Sequence, residues 1–402
     1  MTATGSLVER ARKIAPAIAE RASQVEEMRH VHEDSMQEMV DAGLTRALQP
    51  AKYGGEEASP AEWYAAVEEI SKACTSTGWI LGVLGVHTWE MAHMSAQLND
   101  ELFGADPTTL ISSSYNVQGN RAERVPGGYR LSGRWKSSSG VHHSSWVVLG
   151  ALVDGEESPL HLVVPISEVE VVDDWYVLGL VGTGSRTVVL DDVFVPEHRT
   201  ADRELIRAQF GPGLKEHTAP LFQVKQAYLY TISSAPVLGA GWRFYEEFKS
   251  AYSVSTTVSR QLAGDRLMTA RVAAARSALT SAETVCQARL TEGYRAACEG
   301  RDQTDLEYAQ SMYDIARNAQ SVIEMASSLF PTLRPNSVYR SNIMQRLYRD
   351  IIVARQHNTA NIDELAEPLA GADLGFSGSH HLFLTPEKKE AARRRAEKLG
   401  YL

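Results

Sequence analysis

The chain has 402 residues, of which 44% are hydrophobic and 22% charged, and its formal net charge is −10. This composition is typical of a globular protein with more than one structural layer. The acidic balance, without a basic tract interleaved with aromatic residues, argues against nucleic acid as the main partner. The three cysteines show no CxxC spacing, and no apolar run reaches the roughly 18 residues of a membrane span. We therefore expect a cytoplasmic protein without a structural metal and without a membrane segment.

The first part of the chain, residues 1–105, has apolar residues at helical spacing and is predicted to be a helical domain. Within it, the stretch GVLGVHTWEMAH is apolar on all sides and contains His87. A buried imidazole needs a hydrogen-bond partner. His87 is therefore either a satisfied core histidine or a group that lines a buried pocket and bonds or deprotonates a substrate hydroxyl.

The second part, residues 106–204, changes to short runs of strand-forming residues separated by glycine, proline and aspartate, which predicts a β-sandwich or barrel. Six runs are strand candidates: TTLISSSY, GGYRLSGRW, SWVVLGALV, LHLVVPI, VEVVDDWYV and SRTVVLDDVFVP. In the first of them, alternation along a strand puts Ser112 and Ser114 on one face. That face is either exposed to solvent or in contact with a polar ligand.

A polar stretch, GRWKSSSGVHHSSW, interrupts these strands. Hydroxyls such as that of Ser139, followed by Gly140, suit close contact with a ligand, so we interpret this stretch as the floor of an active site. His142 and His143 would point to opposite faces of a strand and have no nearby metal-ligand partner, so we predict no metal here.

A glycine-rich loop, LGLVGTGS, lies between two strand candidates. Its GxxGxG spacing is superficially like a nucleotide fingerprint, but that motif requires strand, turn and helix, and here a strand follows. The loop is better suited to present backbone amides and the hydroxyls of Thr183 and Ser185 to a flat ligand.

The remaining residues, 205–402, read as long helices of a bundle. Asp350 and His357 are seven residues apart, so on one helix they would share a face. The charged segment PEKKEAARRRAEKLGYL is interpreted as a solvated helix or a loose tail.

Together, GVHTWEMA, ISSSYN, GGYRLSGRWKSSSG, WYVLGLVGTGS, VFVPEHR and the late RDxxxxxxH resemble the oxygenase components of two-component flavin monooxygenases, such as the 3-hydroxy-9,10-secoandrostatrienedione hydroxylases and p-hydroxyphenylacetate hydroxylases. The resemblance covers residues 20–365. It implies an α+β, acyl-CoA dehydrogenase-like fold with an N-terminal helical domain, a central β domain and a C-terminal four-helix bundle, assembled as a homotetramer.

The resemblance also implies the chemistry. A separate NAD(P)H-dependent flavin reductase would supply reduced FMN or FAD. Reaction with O2 would give a C4a-hydroperoxyflavin that hydroxylates a phenolic or polycyclic aromatic substrate, ortho to an existing hydroxyl. In such a site the flavin carries the chemistry and the protein supplies orientation, hydrogen bonds and exclusion of water.

Roles for individual residues follow from the same resemblance. Ser139 would bond flavin N5, His357 would assist formation or protonation of the peroxide, and His87 would contact the substrate phenol with Ser114 as a second contact. The flavin pocket would be shaped by Gly140, Trp175, Gly182, Thr183 and Ser185, and Arg260 would reach the flavin phosphate of a neighbouring subunit.

Three residues depart from the family pattern, namely Ser137, His142 and His143, and we expect them to contact the substrate and to shape specificity.

Two alternatives stay open at this point. One is the same flavin chemistry on a nitrogen, a sulfur or another natural-product site. The other is an acyl-CoA dehydrogenase-type reaction, which needs a buried glutamate base, for which Glu324 and Glu364 are the candidates.

Overall fold

The computed structural model describes residues 5–155, 158–230, 234–253, 265–376 and 383–402. The chain begins with α1 (Leu7–Met28), α2 (Glu33–Asp41), α3 (Pro60–Ala73), α4 (Thr75–Met91) and α5 (Ala96–Phe103). Every residue of α4 is buried, as expected for a helix that is apolar on all sides. It packs against α3 and against the first strand of the sheet, so it lies at the centre of the molecule.

The middle of the chain forms an eight-stranded sheet. Its strands are β1 (Ile111–Ser114), β2 (Arg121–Val125), β3 (Gly128–Ser138), β4 (Trp146–Val153), β5 (Leu160–Pro165), β6 (Glu170–Val172), β7 (Arg186–Pro196) and β8 (Thr200–Asp202). They pair in the order β6-β7-β3-β2-β4-β5-β8, with β1 parallel beside β4. Leu131, Trp135 and Leu149 are fully buried in the apolar core of the sheet.

Two strands, β2 and β8, are absent from the sequence-based prediction. β2 reads RAERV and has mostly exposed charged side chains, so it lacks the apolar alternation that identifies a strand. It forms because β3 and β4 satisfy its backbone groups on both sides. β8 has only three residues and is held by its pairing with β5.

The second half of the chain is helical, which confirms the predicted order of helices, strands and helices. The helices are α6 (Arg203–Arg207), α7 (Gln226–Leu229), α8 (Ser234–Ser253), α9 (Arg266–Cys298), α10 (Asp305–Leu329), α11 (Ile343–Ala354), α12 (Ile362–Leu374) and α13 (Pro386–Lys398). Helices α8 to α11 pack against one another around a shared apolar core. Across the described ranges, no helix has both the length and the apolarity needed to cross a membrane.

The charged C-terminal segment is a packed helix and not a loose tail. Ala392 and Ala396 on one face of α13 are buried against Leu205 of α6 and Ala208, which follows that helix. Arg395 also forms an ion pair with the buried carboxylate of Asp202, with 2.5 Å between Nη1 and Oδ2. The C-terminal helix therefore supports α6, which contributes to the cavity described next.

Candidate active site

A cavity of about 770 Å³ lies between α4, the sheet, the glycine-rich loop and the segment that follows α11. Its volume falls within the range of about 300–1,000 Å³ that is common for small-molecule sites. Eight residues predicted from the sequence line it: His87, Ser114, Ser137, Ser139, Trp175, Thr183, Ser185 and His357. Side chains more than 250 residues apart in the sequence therefore meet in one place.

The serine-rich stretch reaches the cavity because β3 ends in an irregularity. The pairing of β3 with β7 shifts register between Trp135 and Ser138, and Ser137 has a φ of 64°. A left-handed conformation at a residue other than glycine costs on the order of 1 kcal/mol, and it is typical of bulges beside functional sites. This bulge re-aims the end of β3, so that Ser139 faces the end of β7.

A chain of hydroxyl groups then connects β3 to the glycine-rich loop. Thr183 donates to the carbonyl of Leu180 at 2.8 Å, and its oxygen lies 2.7 Å from Oγ of Ser185. Ser185 lies in turn 2.7 Å from Oγ of Ser139. Because the proton of Thr183 goes to a carbonyl, Ser185 donates to Thr183 and Ser139 donates to Ser185. The lone pairs of Ser139 are thus left as an acceptor at the cavity.

The loop at the end of this chain is held by Asp350 of α11. Leu180 has a φ of 53°, and its N–H donates to Oδ1 of Asp350 at 2.6 Å. Asp350 is buried, and this burial raises the pKa of its carboxyl group to about 6, although the Leu180 N–H opposes the rise. A helix in the C-terminal bundle therefore determines the position of a loop in the β region.

His87 lies in α4 with its ring fully buried. Nδ1 is 2.6 Å from the carbonyl of Ile111, and a carbonyl can only accept, so Nδ1 carries the hydrogen. Burial lowers the pKa of His87 below its ordinary value, against the opposing charge of Glu90. The ring is thus neutral at pH 7, and Nε2 offers a lone pair. A side chain with this tautomer can accept a proton from a substrate hydroxyl.

The two serines of β1 that reach the cavity differ in what they can offer. Ser114 is buried and donates its proton to the carbonyl of Lys136 at 2.7 Å, so it faces a ligand only as an acceptor. Ser113, which the strand alternation placed on the other face, also lines the cavity. The sequence-based choice of Ser114 therefore stays a prediction, with Ser113 beside it as a second candidate.

His357 reaches the cavity from a turn and not from a helix. The helix α11 ends at Ala354, so the prediction that Asp350 and His357 share one helical face is wrong. His357 instead precedes the 3-10 turn Asn358–Ala360 and contacts Oγ1 of Thr359 through Nδ1 at 2.8 Å. Its ring stands edge-on to Trp79, with 5.4 Å between the ring centroids.

Four residues predicted for the site are described by the structure and do not appear in its lining, namely Gly140, Gly182, His142 and His143. Gly140 has a φ of 75°, and a Cβ on Gly182 would lie 2.1 Å from Cγ1 of Val25, so both glycines serve backbone geometry and close packing. Arg260 lies outside the described residues.

His142 and His143 belong to a 3-10 turn and not to a strand, because the chain turns outward after Gly140. The His143 ring bonds the carbonyl of Val31 at 2.8 Å, and the ring of His142 stacks on His30 with centroids 3.9 Å apart. Among the residues that the structure describes, neither lines the cavity, so the substrate contacts predicted for them are not supported.

One group of possible metal ligands, formed by His30, Glu33 and His142, occurs at this surface. The planes of the two stacked rings differ by only 19°. Imidazole lone pairs lie in the ring plane, so two nearly parallel rings do not direct them at one ion. Glu33 and His142 are moreover exposed.

Several cavity residues are absent from the sequence-based prediction. Tyr115, His161 and Tyr230 line the cavity near His87 and surround the buried carboxylate of Glu90. Two features of the sequence point to this cluster, namely a glutamate inside an apolar helix and a histidine inside the apolar run LHLVVP. Two further lining residues, Arg203 and Arg207 of α6, lie on a short helix that apolar spacing does not reveal.

Two family models match the chain: the acyl-CoA dehydrogenase N-terminal domain over residues 5–97 and the acyl-CoA dehydrogenase C-terminal domain over residues 231–362. A flavin-dependent monooxygenase oxygenase subunit, HsaA of Rhodococcus jostii (strain RHA1), is 32% identical over 371 residues, which is 90% of this chain and 97% of that protein. The oxygenase component of an FADH2-dependent resorcinol hydroxylase of Rhizobium sp. (strain MTP-10005) is 37% identical over 197 residues, which is 48% of each chain.

A solved structure agrees with these relatives. The crystal structure of 3-HSA hydroxylase from Rhodococcus sp. RHA1 superposes with a TM-score of 0.89 at 29% identity, and the match covers 95% of this chain and 100% of that one. The α+β, acyl-CoA dehydrogenase-like fold predicted from the sequence is confirmed.

The link between Asp350 and Leu180 predicts the effects of two substitutions. Asp350→Ala leaves the buried Leu180 N–H without an acceptor and is expected to lower the free energy of unfolding by about 1–3 kcal/mol. Asp350→Asn keeps an acceptor oxygen and is expected to cost less. Chemical denaturation of the three proteins at pH 7 measures the difference, and equal losses in both variants would contradict the role of this hydrogen bond.

The same carboxyl predicts a pH dependence. Its pKa is raised in the folded protein to about 6, so the native state holds the proton more tightly than the unfolded chain. The stability of the wild type relative to Asp350→Asn should therefore fall as the pH rises from 5 to 7 and stay constant above that. Unfolding midpoints across pH 5–8 test this, and a relative stability that increases with pH would be inconsistent with it.

Proposed function

Because this chain belongs to the flavin-dependent monooxygenase oxygenase subunits that share the acyl-CoA dehydrogenase fold, we propose that it uses reduced FMN or FAD and O2 to hydroxylate a phenolic or polycyclic aromatic substrate. One observation carries the proposal. A single cavity contains the neutral, proton-accepting His87 and the chain of hydroxyls that ends at Ser139. The first suits a phenol, and the second suits the N–H of a reduced flavin ring.

The hydroxyl chain indicates whether the cavity suits a flavin. The N5 atom of a flavin carries a hydrogen in the reduced state and a lone pair in the oxidised state. Ser139 donates its own hydrogen bond to Ser185, so toward the flavin it can only accept, which matches the N–H of the reduced ring. Trp79 and Trp175 line the same cavity and supply flat apolar surface for a ring system.

When bound, the reduced flavin supplies, with O2, the oxygen atom that is transferred. Ser139 would accept the hydrogen bond of the ring N–H, and His357, which lines the cavity beside Trp79, would assist the proton transfers of the oxygen chemistry. Leu180 and Val353 add apolar surface that limits the access of water.

At the substrate end, His87 accepts the hydrogen bond, or the proton, of the phenolic hydroxyl through Nε2. A phenolate pushes electron density into the ring at its ortho and para carbons, which makes those carbons better targets for an electrophilic oxygen. Ser114 supplies an acceptor nearby. Both positions are activated in this way, and of the two we propose the ortho carbon, as the family resemblance implies.

The acyl-CoA dehydrogenase alternative is not favoured. The two glutamates considered as its base, Glu324 and Glu364, are exposed and absent from the cavity lining. The same flavin chemistry on nitrogen or sulfur lacks a specific observation in its favour, because His87 is placed to bind an acidic hydroxyl.

Two partners complete the proposal. An oxygenase subunit needs a separate NAD(P)H-dependent reductase, which supplies the flavin by diffusion or by transient contact. The homotetramer follows from the family resemblance, and large apolar side chains exposed in the C-terminal half offer surface for contacts with other copies, among them Leu267, Val338, Tyr339, Leu374 and Phe376.

The direct test is turnover with a generic flavin reductase, NADH, FMN or FAD, and a panel of phenols, secosteroids and polyketide aromatics. Mass spectrometry under 18O2 should show one labelled oxygen in the product. NADH consumption that yields only H2O2 with every compound of the panel would count against the proposed substrate class.

His87→Ala is expected to reduce hydroxylation of a phenol by at least about 100-fold in kcat/KM, the lower range for loss of a positioned acid–base group. O2 consumption should fall less than hydroxylation does, so a larger fraction of the consumed O2 should be released as H2O2. The methyl ether of the same phenol has no proton to give and should react equally in both proteins. His93→Ala, a buried histidine outside the lining, is the matched control.

Ser139→Ala is expected to increase the fraction of consumed O2 that is released as H2O2, because the proton at the flavin nitrogen loses its acceptor. A peroxidase-coupled assay measures this fraction. Ser144→Ala is the control, since Ser144 donates to the carbonyl of Gly140 at 3.1 Å and is absent from the lining. An unchanged H2O2 fraction would remove Ser139 from the flavin nitrogen.

A further inference from the structure

Behind the lining of the cavity near His87 lies a buried acidic group that the proposed reaction does not use. Glu90, one turn after His87 on α4, is fully buried. One carboxylate oxygen accepts hydrogen bonds from the hydroxyls of Tyr115 and Tyr230, and the other lies 2.6 Å from Nδ1 of His161. Burial alone would raise the pKa of Glu90, but the charge and hydrogen bond of His161 hold this pKa well below its ordinary value.

This network determines which atoms His161 has left for a ligand. An ionised carboxylate can only accept hydrogen bonds, so Nδ1 of His161 carries a hydrogen that it donates to Glu90. Nε2 is buried and, among the residues that the structure describes, has no hydrogen-bond partner. His161 lines the cavity, and its Nδ1 is occupied by Glu90, so Nε2 is the ring nitrogen left for a ligand group. A buried polar atom left unpaired is costly, and a ligand group that bonds it removes that cost.

We propose that His161 is a second substrate-binding imidazole, whose Nε2 bonds a second oxygen substituent of the aromatic substrate while His87 bonds the first. This inference rests on the proposed function, because it takes the cavity as the substrate site. A hydroxyl group can donate or accept, so it pairs with Nε2 in either protonation state of the ring. The substrate class is therefore a ring system with two hydroxyl groups.

Glu90 acts in this arrangement as a positioning residue. It holds the His161 ring through Nδ1, in the way that a carboxylate orients an imidazole in other enzyme sites. Tyr115 and Tyr230 donate to the same carboxylate, so its negative charge is compensated by hydrogen bonds although it is buried. The ring of Tyr115 also lies against that of His161, with centroids 4.7 Å apart, which restricts the imidazole further.

The test compares ligands with one and two hydroxyl groups. Phenol is compared with catechol, resorcinol and hydroquinone, and 1-naphthol is compared with the dihydroxynaphthalenes. Binding of each ligand to the full chain is measured by calorimetry without flavin. The variants are His161→Phe, which keeps a ring but no nitrogen, and Glu90→Gln, which weakens the anchor. His93→Phe is the control, because His93 is equally buried but lies outside the lining.

The wild type should bind the best diol at least about tenfold more tightly than the matching single phenol, which corresponds to about 1.4 kcal/mol. His161→Phe should lose this preference with little change for the single phenol, Glu90→Gln should reduce it, and His93→Phe should keep it. His161→Gln, which retains a polar side chain, serves in place of His161→Phe if the latter does not fold.

The outcomes separate this inference from the proposed function. The role of His161 is overturned if the wild type shows no preference for diols. It is also overturned if a folded His161 variant keeps the wild-type preference, or if it loses affinity for both ligand types equally. A diol preference that depends on His161, in a protein that hydroxylates no compound, supports the binding role and removes the proposed reaction. Hydroxylation without any diol preference supports the reaction and overturns the inference.

Discussion

The site depends on one continuous set of hydrogen bonds that runs from a helix of the bundle to the end of a strand. Asp350 accepts a hydrogen bond from the N–H of Leu180, and the carbonyl of Leu180 accepts one from Thr183. Ser185 donates to Thr183, and Ser139 donates to Ser185. A carbonyl at one end can only accept, so the orientation of every hydroxyl in the chain follows from it. The polarity of the cavity wall is thus set by backbone geometry and not by the serine itself.

The other end of the cavity is organised by the buried helix α4. Its apolar residues exclude water, and within them His87 and Glu90 are one turn apart. In such surroundings polar groups need partners, and for both His87 and His161 the partner occupies Nδ1 and leaves Nε2 for a ligand. In the proposed account the two ends have complementary tasks, with an acceptor for a reduced ring on one side and imidazoles for ring oxygens on the other.

Much of this arrangement could be predicted from the sequence, because the order of helices and strands and the motifs around His87 and Ser139 identify the family. The contact between Asp350 and Leu180 could not, since it joins residues 170 positions apart and no spacing rule connects them. The outward turn after Gly140, which removes His142 from the cavity, depends on a positive φ that the letters GVHH do not reveal. His161 reads as one polar residue in an apolar strand until its carboxylate partner is known.

The central claim is that the hydroxyl chain presents an acceptor to the N–H of a reduced flavin. The most direct measurement is the dissociation constant of the protein for reduced flavin, titrated under anaerobic conditions, against that for the same flavin in its oxidised state. The account predicts that the reduced form binds at least about tenfold more tightly, the ratio that one net hydrogen bond supplies. Equal affinities, or tighter binding of the oxidised form, would contradict it.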